Sequence, residues 1–291
     1  VGASKADRAG WKQVKPKSNA GTTMYPFVNT DGSIIWHPRV TSHTGVIDKP
    51  ALVQWSARME RDGILGELEE WINEKGEPDL SKFLGKVMSM RNAEWRWRKK
   101  KDAAADIGTS AHKWIHWYIR RELGIEDKEP VVLPGASRAI DGFNSWWKRV
   151  GPEPIYAEQT VFCTAERYAG TLDFKARLTW SDGTRRVVIV DWKTSKRNNE
   201  KDSDGRDKVV YDEAILQNHA YRFADSWTAM NGDKSAGGII VRLAKEEDDT
   251  IPFEAVEIPW DKSAWSAYKA ARDVWEWLRL RSGLTIGGPW A

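Results

Sequence analysis

Asp173 and Asp191 stand on either side of the turn sequence Ser181-Asp182-Gly183-Thr184, and Lys193 follows the second acid by two residues. Asp173 lies nine residues before Asp182, and Asp191 eight after Gly183. In an antiparallel pair joined at that turn, so near-symmetric an offset sets the two carboxylates almost opposite one another. Like charges that close repel, and a cation is the usual remedy. The pleat puts Lys193 on the same face as Asp191. Paired carboxylates supply hard oxygen donors for Mg²⁺ or Mn²⁺. Such an ion lowers the pKa of a bound water and neutralises charge on a phosphoryl group. An ammonium beside them orients that water or stabilises the charged transition state. The chemistry open to this trio is phosphodiester hydrolysis. For Lys193 alone, the competing reading is a structural ion pair with Asp191.

Other residues could join them. His112 closes the run Gly108-Thr109-Ser110-Ala111-His112 on an expected helix, and imidazole ligates Mn²⁺ or places Mg²⁺ through a water. Glu158 sits in Ala157-Glu158-Gln159-Thr160-Val161, on an expected strand. Gln217 and Tyr221 are one helical turn apart and share a face. Gly170 precedes Asp173 by three residues, where it could admit a close approach of backbone or substrate. Basic residues cluster in two stretches. Arg91 to Lys101 includes Arg98 and Lys99 and holds one acid, Glu94; Arg185 to Lys201 includes Lys196 and Arg197. Such clusters suit a polyanionic partner, and equally a solvated helix face and a charged loop.

The order His112, Asp173, Asp191-Trp192-Lys193, Gln217-x-x-x-Tyr221 resembles the RecB-type branch of the PD-(D/E)xK nucleases. By motif the resemblance covers roughly residues 108 to 225. Val40-Thr41-Ser42, Lys49-Pro50-Ala51-Leu52 and Trp55 are similar to the opening of phage-type members. The resemblance implies a restriction-endonuclease-like core and a metal site of His112, Asp173 and Asp191, joined by Glu158 and the Trp192 carbonyl. It gives Lys193 the role of assisting the attacking water. Gln217 and Tyr221 are then expected to contact substrate, together with Thr194, Ser195, Lys196, Arg197, Arg98 and Lys99. Many relatives carry an acid one turn after the histidine; here that place holds His116, which is left out of the expected metal set. Some relatives also hold an iron–sulfur cluster. With Cys163 as its one cysteine, this chain cannot ligate such a cluster by itself.

The activity implied is a Mg²⁺- or Mn²⁺-dependent deoxyribonuclease, favouring an exonuclease on the ends or single strands of DNA in recombination, repair or phage DNA metabolism. The alternatives are a structure-specific or restriction-like endonuclease, a non-catalytic nucleic-acid-binding protein on the same fold, and, more remotely, an assembly protein whose acids form only salt bridges.

The elements that must position these residues follow from pattern. The chain has 291 residues, 41% of them apolar, and a net charge of +3, as expected of a water-soluble globular protein. Its 18 tryptophans mostly fall in helical apolar patterns and are assigned to core packing. No apolar run approaches the ~20 residues of a membrane span, and no apolar segment follows Lys5 and Arg8 to make a secretory signal. A cytoplasmic setting, in a bacterial or phage-infected cell, and no membrane partner are expected. Residues 1–23 read as a flexible tail, 24–105 as a mainly helical region and 106–291 as the core. Ile34–Trp36 and Pro38–Ser42 look extended. Helices are expected over 50–59, 64–74, from 79, 88–104, 109–123 and 137–150, with Asp106 and Gly108 as boundary signals before the fifth. Strands are expected over 155–164, 168–180 and 185–192, then a polar loop 198–208, a helix 211–230, strands 237–243 and 251–258, and a closing helix 262–281. The order β-β-β-α-β-β-α makes an α/β class protein, a mixed sheet with helices on its faces.

Overall fold

A tight hairpin turn sets the register on which the rest depends. Gly183 takes the left-handed backbone, φ 80°, that closes the three-residue loop Ser181-Asp182-Gly183. Asp182 accepts the Thr184 N–H at 2.8 Å, and the Trp180 N–H donates to the Thr184 carbonyl at 2.8 Å. The computed structural model describes residues 17–19, 22–28, 31–47, 49–75, 80–89, 96–125, 127–197, 210–224 and 237–280. In chain order its strands are β1 (Lys17–Asn19), β2 (Thr22–Val28), β3 (Ile34–Pro38), β4 (Glu153–Cys163), β5 (Tyr168–Thr179), β6 (Arg185–Ser195), β7 (Gly237–Ala244) and β8 (Phe253–Pro259). Its helices are α1 (Val40–Thr44), α2 (Pro50–Lys75), α3 (Leu80–Ser89), α4 (Arg96–Glu122), α5 (Ser137–Val150), α6 (Asp212–Phe223) and α7 (Lys262–Leu280).

β4 to β8 form one five-stranded mixed sheet in sequence order. The β6–β7 pair is parallel and its neighbours are antiparallel, because α6 carries the chain back across the sheet between them. Helices cover both faces. On one, Trp146 and Trp147 of α5 meet Trp192 and Phe174, and Trp192 stacks on Phe174 with ring centroids 6.0 Å apart. On the other, Tyr221 of α6 and Tyr268 of α7 pack with Tyr168, Leu172 and Ile189. This double cover is why Val188, Ile189 and Val190 are all buried. α5 ends at Gly151, whose left-handed φ of 58° and N–H bond to the Trp147 carbonyl stop the helix where the sequence places the stop.

Several expectations from sequence are corrected. Lys17–Asn19 and Thr22–Val28 pair in a three-stranded antiparallel sheet with β3, so strands reach into the expected tail. Pro38–Ser42 is not one extended piece: after Pro38 the chain turns into the short helix α1. The helices expected on either side of Gly63 are one, α2, and Gly108 lies inside α4 rather than at its start. A single glycine weakens a helix by about 1 kcal/mol, which the long flanking runs absorb. The contacts divide the chain into two compact units, Val1–Ile47 with Ala111–Ala291, and Asp48–Ser110. In the smaller unit Phe83 is buried and Glu60 accepts the Trp97 N–H at 2.9 Å. The loop over 198–208, and α6 beyond Ala224, lie outside the described residues.

One buried group makes stability depend on pH. His43 of α1 is fully buried; its Nδ1 is 2.9 Å from the Tyr268 hydroxyl and its ring 4.9 Å from that of Trp275. Burial, reinforced by the Arg272 charge, pushes its imidazole down from 6.5 to about 4. The unfolded chain therefore takes up a proton below pH 6.5 that the folded chain refuses until about 4. Stability is full above that window and falls as pH drops through it, by roughly 3 kcal/mol. Urea unfolding at pH 7 and pH 4.5 will show this loss, and His43→Gln will remove most of the difference.

Candidate metal centre

Three adjacent strands carry the candidate carboxylates in one row. In the β4–β5 register Ala157 pairs with Phe174 and Gln159 with Leu172, so Glu158 lies across from Asp173. The last β5–β6 pair before the ladder opens is Phe174 with Val190, so Asp173 and Asp191 are the next residues out on their strands. There the Trp192 N–H donates to Asp173 Oδ2, at 2.9 Å.

The alternation of faces slips at this row. Tyr156 and Lys175 are register partners, and Tyr156 packs against the cluster containing Ile189 and Tyr221. Val161 and Leu172 belong to that same cluster. Each is an odd number of residues away along its strand, which a regular pleat would send to the opposite face. Glu158 carries the irregularity, with a left-handed φ of 45° that costs a residue with a side chain and recurs at functional sites. The consequence is that Glu158 and Asp173 turn toward α4. Together with His112, Ile115, His116 and Trp192 they line a small pocket. His112 Nδ1 stands 3.8 Å from Asp173 Oδ2, and His116 Nδ1 3.3 Å from Glu158 Oε2. The two histidines share a face of α4 because they are four residues apart.

Asp191 is 2% exposed and is not among the residues that line this pocket. The Lys193 ammonium is 2.5 Å from its Oδ2, and the lysine side chain keeps 38% of its surface open. Burial pushes the Asp191 carboxyl up; Lys193 pulls it back, and the neighbouring Asp173 charge adds to the rise. Burial also opposes the charge on Lys193, but Asp191 and Asp173 outweigh it, so the amine titrates above its ordinary value and stays charged. At His116, burial holds the imidazole below its usual range although Glu158 pulls the other way, which leaves the ring neutral at pH 7.

Tyr221 is buried, and its hydroxyl accepts the Gln217 amide N–H at 2.8 Å. Burial, and then the Asp191 charge, push that hydroxyl's pKa up. Gln217 and Tyr221 are therefore bonded to each other, with Tyr221 in the core beside the acids and not on an open surface. Gly170 leaves room for it: a methyl there would sit 2.5 Å from Tyr221 Cε1. Gly170→Ala will consequently destabilise the fold by about 1–3 kcal/mol through overpacking, seen as a lower urea midpoint, and adding Tyr221→Leu will recover part of that loss.

The remaining expected residues are spread out. Thr194 and Ser195 end β6; Thr194 Oγ1 is buried without a partner, and the Ser195 carbonyl accepts from Arg242 at 3.3 Å. Lys196 is exposed, while Arg197 lies 3.4 Å from Glu254. Arg98 and Lys99 are exposed on the part of α4 that belongs to the unit Asp48–Ser110. The Trp192 ring is buried, and its backbone N–H serves Asp173. Sequence reasoning set His116 aside, yet it lines the pocket. Its signal was its place one helical turn after His112.

Among the described residues no three His, Cys, Asp or Glu side chains close around a common point; the donors stand two by two. Their chemistry nonetheless fits a divalent ion. Carboxylate oxygens and imidazoles are grouped at the open end of a ladder. Among the buried polar atoms without a hydrogen-bond partner in the described residues are His116 Nε2, at the pocket, and Asp191 Oδ2, which is in close charge contact with Lys193.

Neither a protein-family model nor a curated protein matches the chain. Among solved structures, the crystal structure of SSO0001 is 14% identical, with a TM-score of 0.27, covering 58% of this chain and 74% of that one. A likeness at that score carries no argument. No helix of the described residues is long and apolar enough to cross a membrane.

Proposed function

We propose that this chain is a divalent-metal-dependent deoxyribonuclease of the RecB-type PD-(D/E)xK kind, acting on DNA ends or single strands. The observation that carries the reading is that Asp173 and Asp191 are the next residues out on neighbouring strands where the β5–β6 ladder opens, with Lys193 in charge contact with Asp191. His112, Asp173 and Asp191 would hold Mg²⁺ or Mn²⁺, with Glu158 and the Trp192 carbonyl as further donors. When bound, the ion would lower the pKa of a coordinated water and neutralise charge on the phosphoryl oxygens.

The chain's own groups supply the rest. Lys193 stays protonated because two carboxylates favour its charge, so its Nζ donates hydrogen bonds to the attacking water or a phosphoryl oxygen and does not accept a proton. The buried Asp191 fixes that ammonium in place. Trp192, through its N–H, fixes Asp173. Tyr221, buried on the α6 side near Asp191 and with its pKa raised, stays neutral. Exposed Lys196 would meet phosphate, which makes binding weaken with salt.

The test is digestion of end-labelled linear DNA, single- and double-stranded, and of covalently closed circles, with Mg²⁺, Mn²⁺ or chelator. The proposal expects metal-dependent shortening of linear DNA and intact circles. Nicked circles would transfer the assignment to an endonuclease. An absence of cleavage under every condition would remove the catalytic reading.

A further inference from the structure

His112 and His116 face the same pocket from one helix, each ring opposite a carboxylate on a different strand. We propose that His116, with Glu158, is a ligand in this centre and that the second imidazole selects a first-row transition ion such as Mn²⁺ over Mg²⁺. The inference rests on the metal-dependent reading above and deepens it.

Three observations carry it. The first is spacing. Two ligands on one ion, with bonds of roughly 2.1 Å, stand about 3.0–3.4 Å apart. His116 Nδ1 and Glu158 Oε2 are 3.3 Å apart, and His112 Nδ1 and Asp173 Oδ2 are 3.8 Å apart. Both pairs are at or near the spacing that a shared ion imposes. The second is the state of the His116 ring. Its Nε2 is buried with no partner, and its Nδ1 contact with Glu158 is an ion-pair distance without an aligned hydrogen bond. A histidine kept for structure normally has a ring nitrogen committed to a donor or acceptor. The third is the backbone. Glu158 is held at φ 45°, and that conformation accompanies the slip of pleat that turns its carboxylate to α4. Ile115 and Trp192 supply apolar walls, which strengthen charge–ligand interactions by excluding water.

Selectivity follows from donor type. Mg²⁺ takes oxygen donors almost exclusively and keeps several waters. Two imidazoles beside two carboxylates suit Mn²⁺, Co²⁺ or Zn²⁺ better. A site with one histidine would bind Mn²⁺ and Mg²⁺ with a smaller difference.

The experiment uses the full chain with MnCl₂ or MgCl₂ alone, without DNA. Calorimetry gives the two affinities. Electron spin-echo spectroscopy of the Mn²⁺ complex counts imidazole nitrogens on the ion in the unaltered protein, so it does not depend on any variant folding. The inference expects two imidazoles, and a His116→Gln variant that loses about 10- to 100-fold in Mn²⁺ affinity but threefold or less in Mg²⁺ affinity. Glu158→Gln should lower Mn²⁺ affinity in the same direction. One imidazole on the ion, with His116→Gln binding Mn²⁺ as the unaltered chain does, would overturn the role of His116 and leave the metal centre standing. If neither ion binds the unaltered chain, the inference falls together with the metal-dependent reading.

Discussion

Asp191→Asn will lower metal-dependent DNA cleavage by roughly three orders of magnitude or more. The substitution removes a negative charge where a cation is to sit, and it removes the counter-charge that holds Lys193 in place at 2.5 Å. Loss of one preorganised charge-stabilising group typically costs about 10²–10³ in rate. Here two such groups fail together, since they act as a unit. The loss will be catalytic and not structural. Asparagine has nearly the same shape, and burial already disfavours the charged carboxylate that it replaces. Thermal unfolding without metal should therefore change little, whereas stabilisation by added Mn²⁺ should shrink. Lys193→Met should lower cleavage by a similar factor and leave Mn²⁺ affinity largely intact, because the amine is no ligand. Single-turnover digestion of 5′-labelled linear DNA, with calorimetry alongside, separates the two. Cleavage within tenfold of the unaltered chain in both variants would end the catalytic assignment.

Arg242→Met will destabilise the folded protein by about 3–5 kcal/mol. Arg242 of β7 is 1% exposed, and a buried guanidinium persists only when its donors are answered. Its Nε donates to Glu254 at 2.5 Å, one terminal nitrogen to Asp249 at 2.7 Å and to the Ser195 carbonyl at 3.3 Å, and the other to the Ile251 carbonyl at 3.0 Å. Methionine fills much of the volume but leaves two half-buried carboxylates facing each other without a cation. Arg242→Lys should fall between, because a point charge cannot reproduce the planar fork. The pH dependence gives a second readout. Burial alone would raise the Asp249 carboxyl, but the Ile251 N–H and the Arg242 guanidinium outweigh it and hold it below its ordinary 3.8. A group depressed in the folded state stabilises above its unfolded pKa and loses that contribution as pH falls through the folded value. The unaltered chain should thus lose this stability only below about pH 4, while Arg242→Met should lack it already at neutral pH. Urea midpoints measured from pH 3 to pH 7 test both points. Since Arg242 also grips the Ser195 carbonyl two residues beyond Lys193, the variant should blunt cleavage as well.

Much of the architecture follows from local pattern. Asp182-Gly183 names its own turn, because few residues tolerate the left-handed backbone there. Once that turn is set, the β5–β6 register is arithmetic, and Asp173 must come level with Asp191 where the ladder ends. The Val187–Val190 run implies a strand covered on both faces, since alternation vanishes when both sides are buried. The helices of residues 137–150 and 262–281 were likewise legible from period and caps. β1 and β2 were not, because short strands owe their existence to their pairing partners rather than to their own composition.

The site was legible as a set of residue types and not as an arrangement. Sequence spacing placed Asp191 and Lys193 together, since residues two apart on a strand share a face. It could not show that Glu158 adopts a left-handed backbone, nor that the pleat slips there and turns two carboxylates toward α4. Such a slip depends on which side chains the opposing helices offer at each face, and no local propensity encodes that. For the same reason sequence spacing gives Tyr221 only as sharing a helical face with Gln217, whereas packing puts its ring against Gly170, and only the tertiary structure closes three segments around Arg242. The chain's own order of residues determined the turn, the strand register and the company of Asp173, Asp191 and Lys193. Tertiary structure alone decided which donors face the pocket, because facing is set by contacts between elements far apart in the chain.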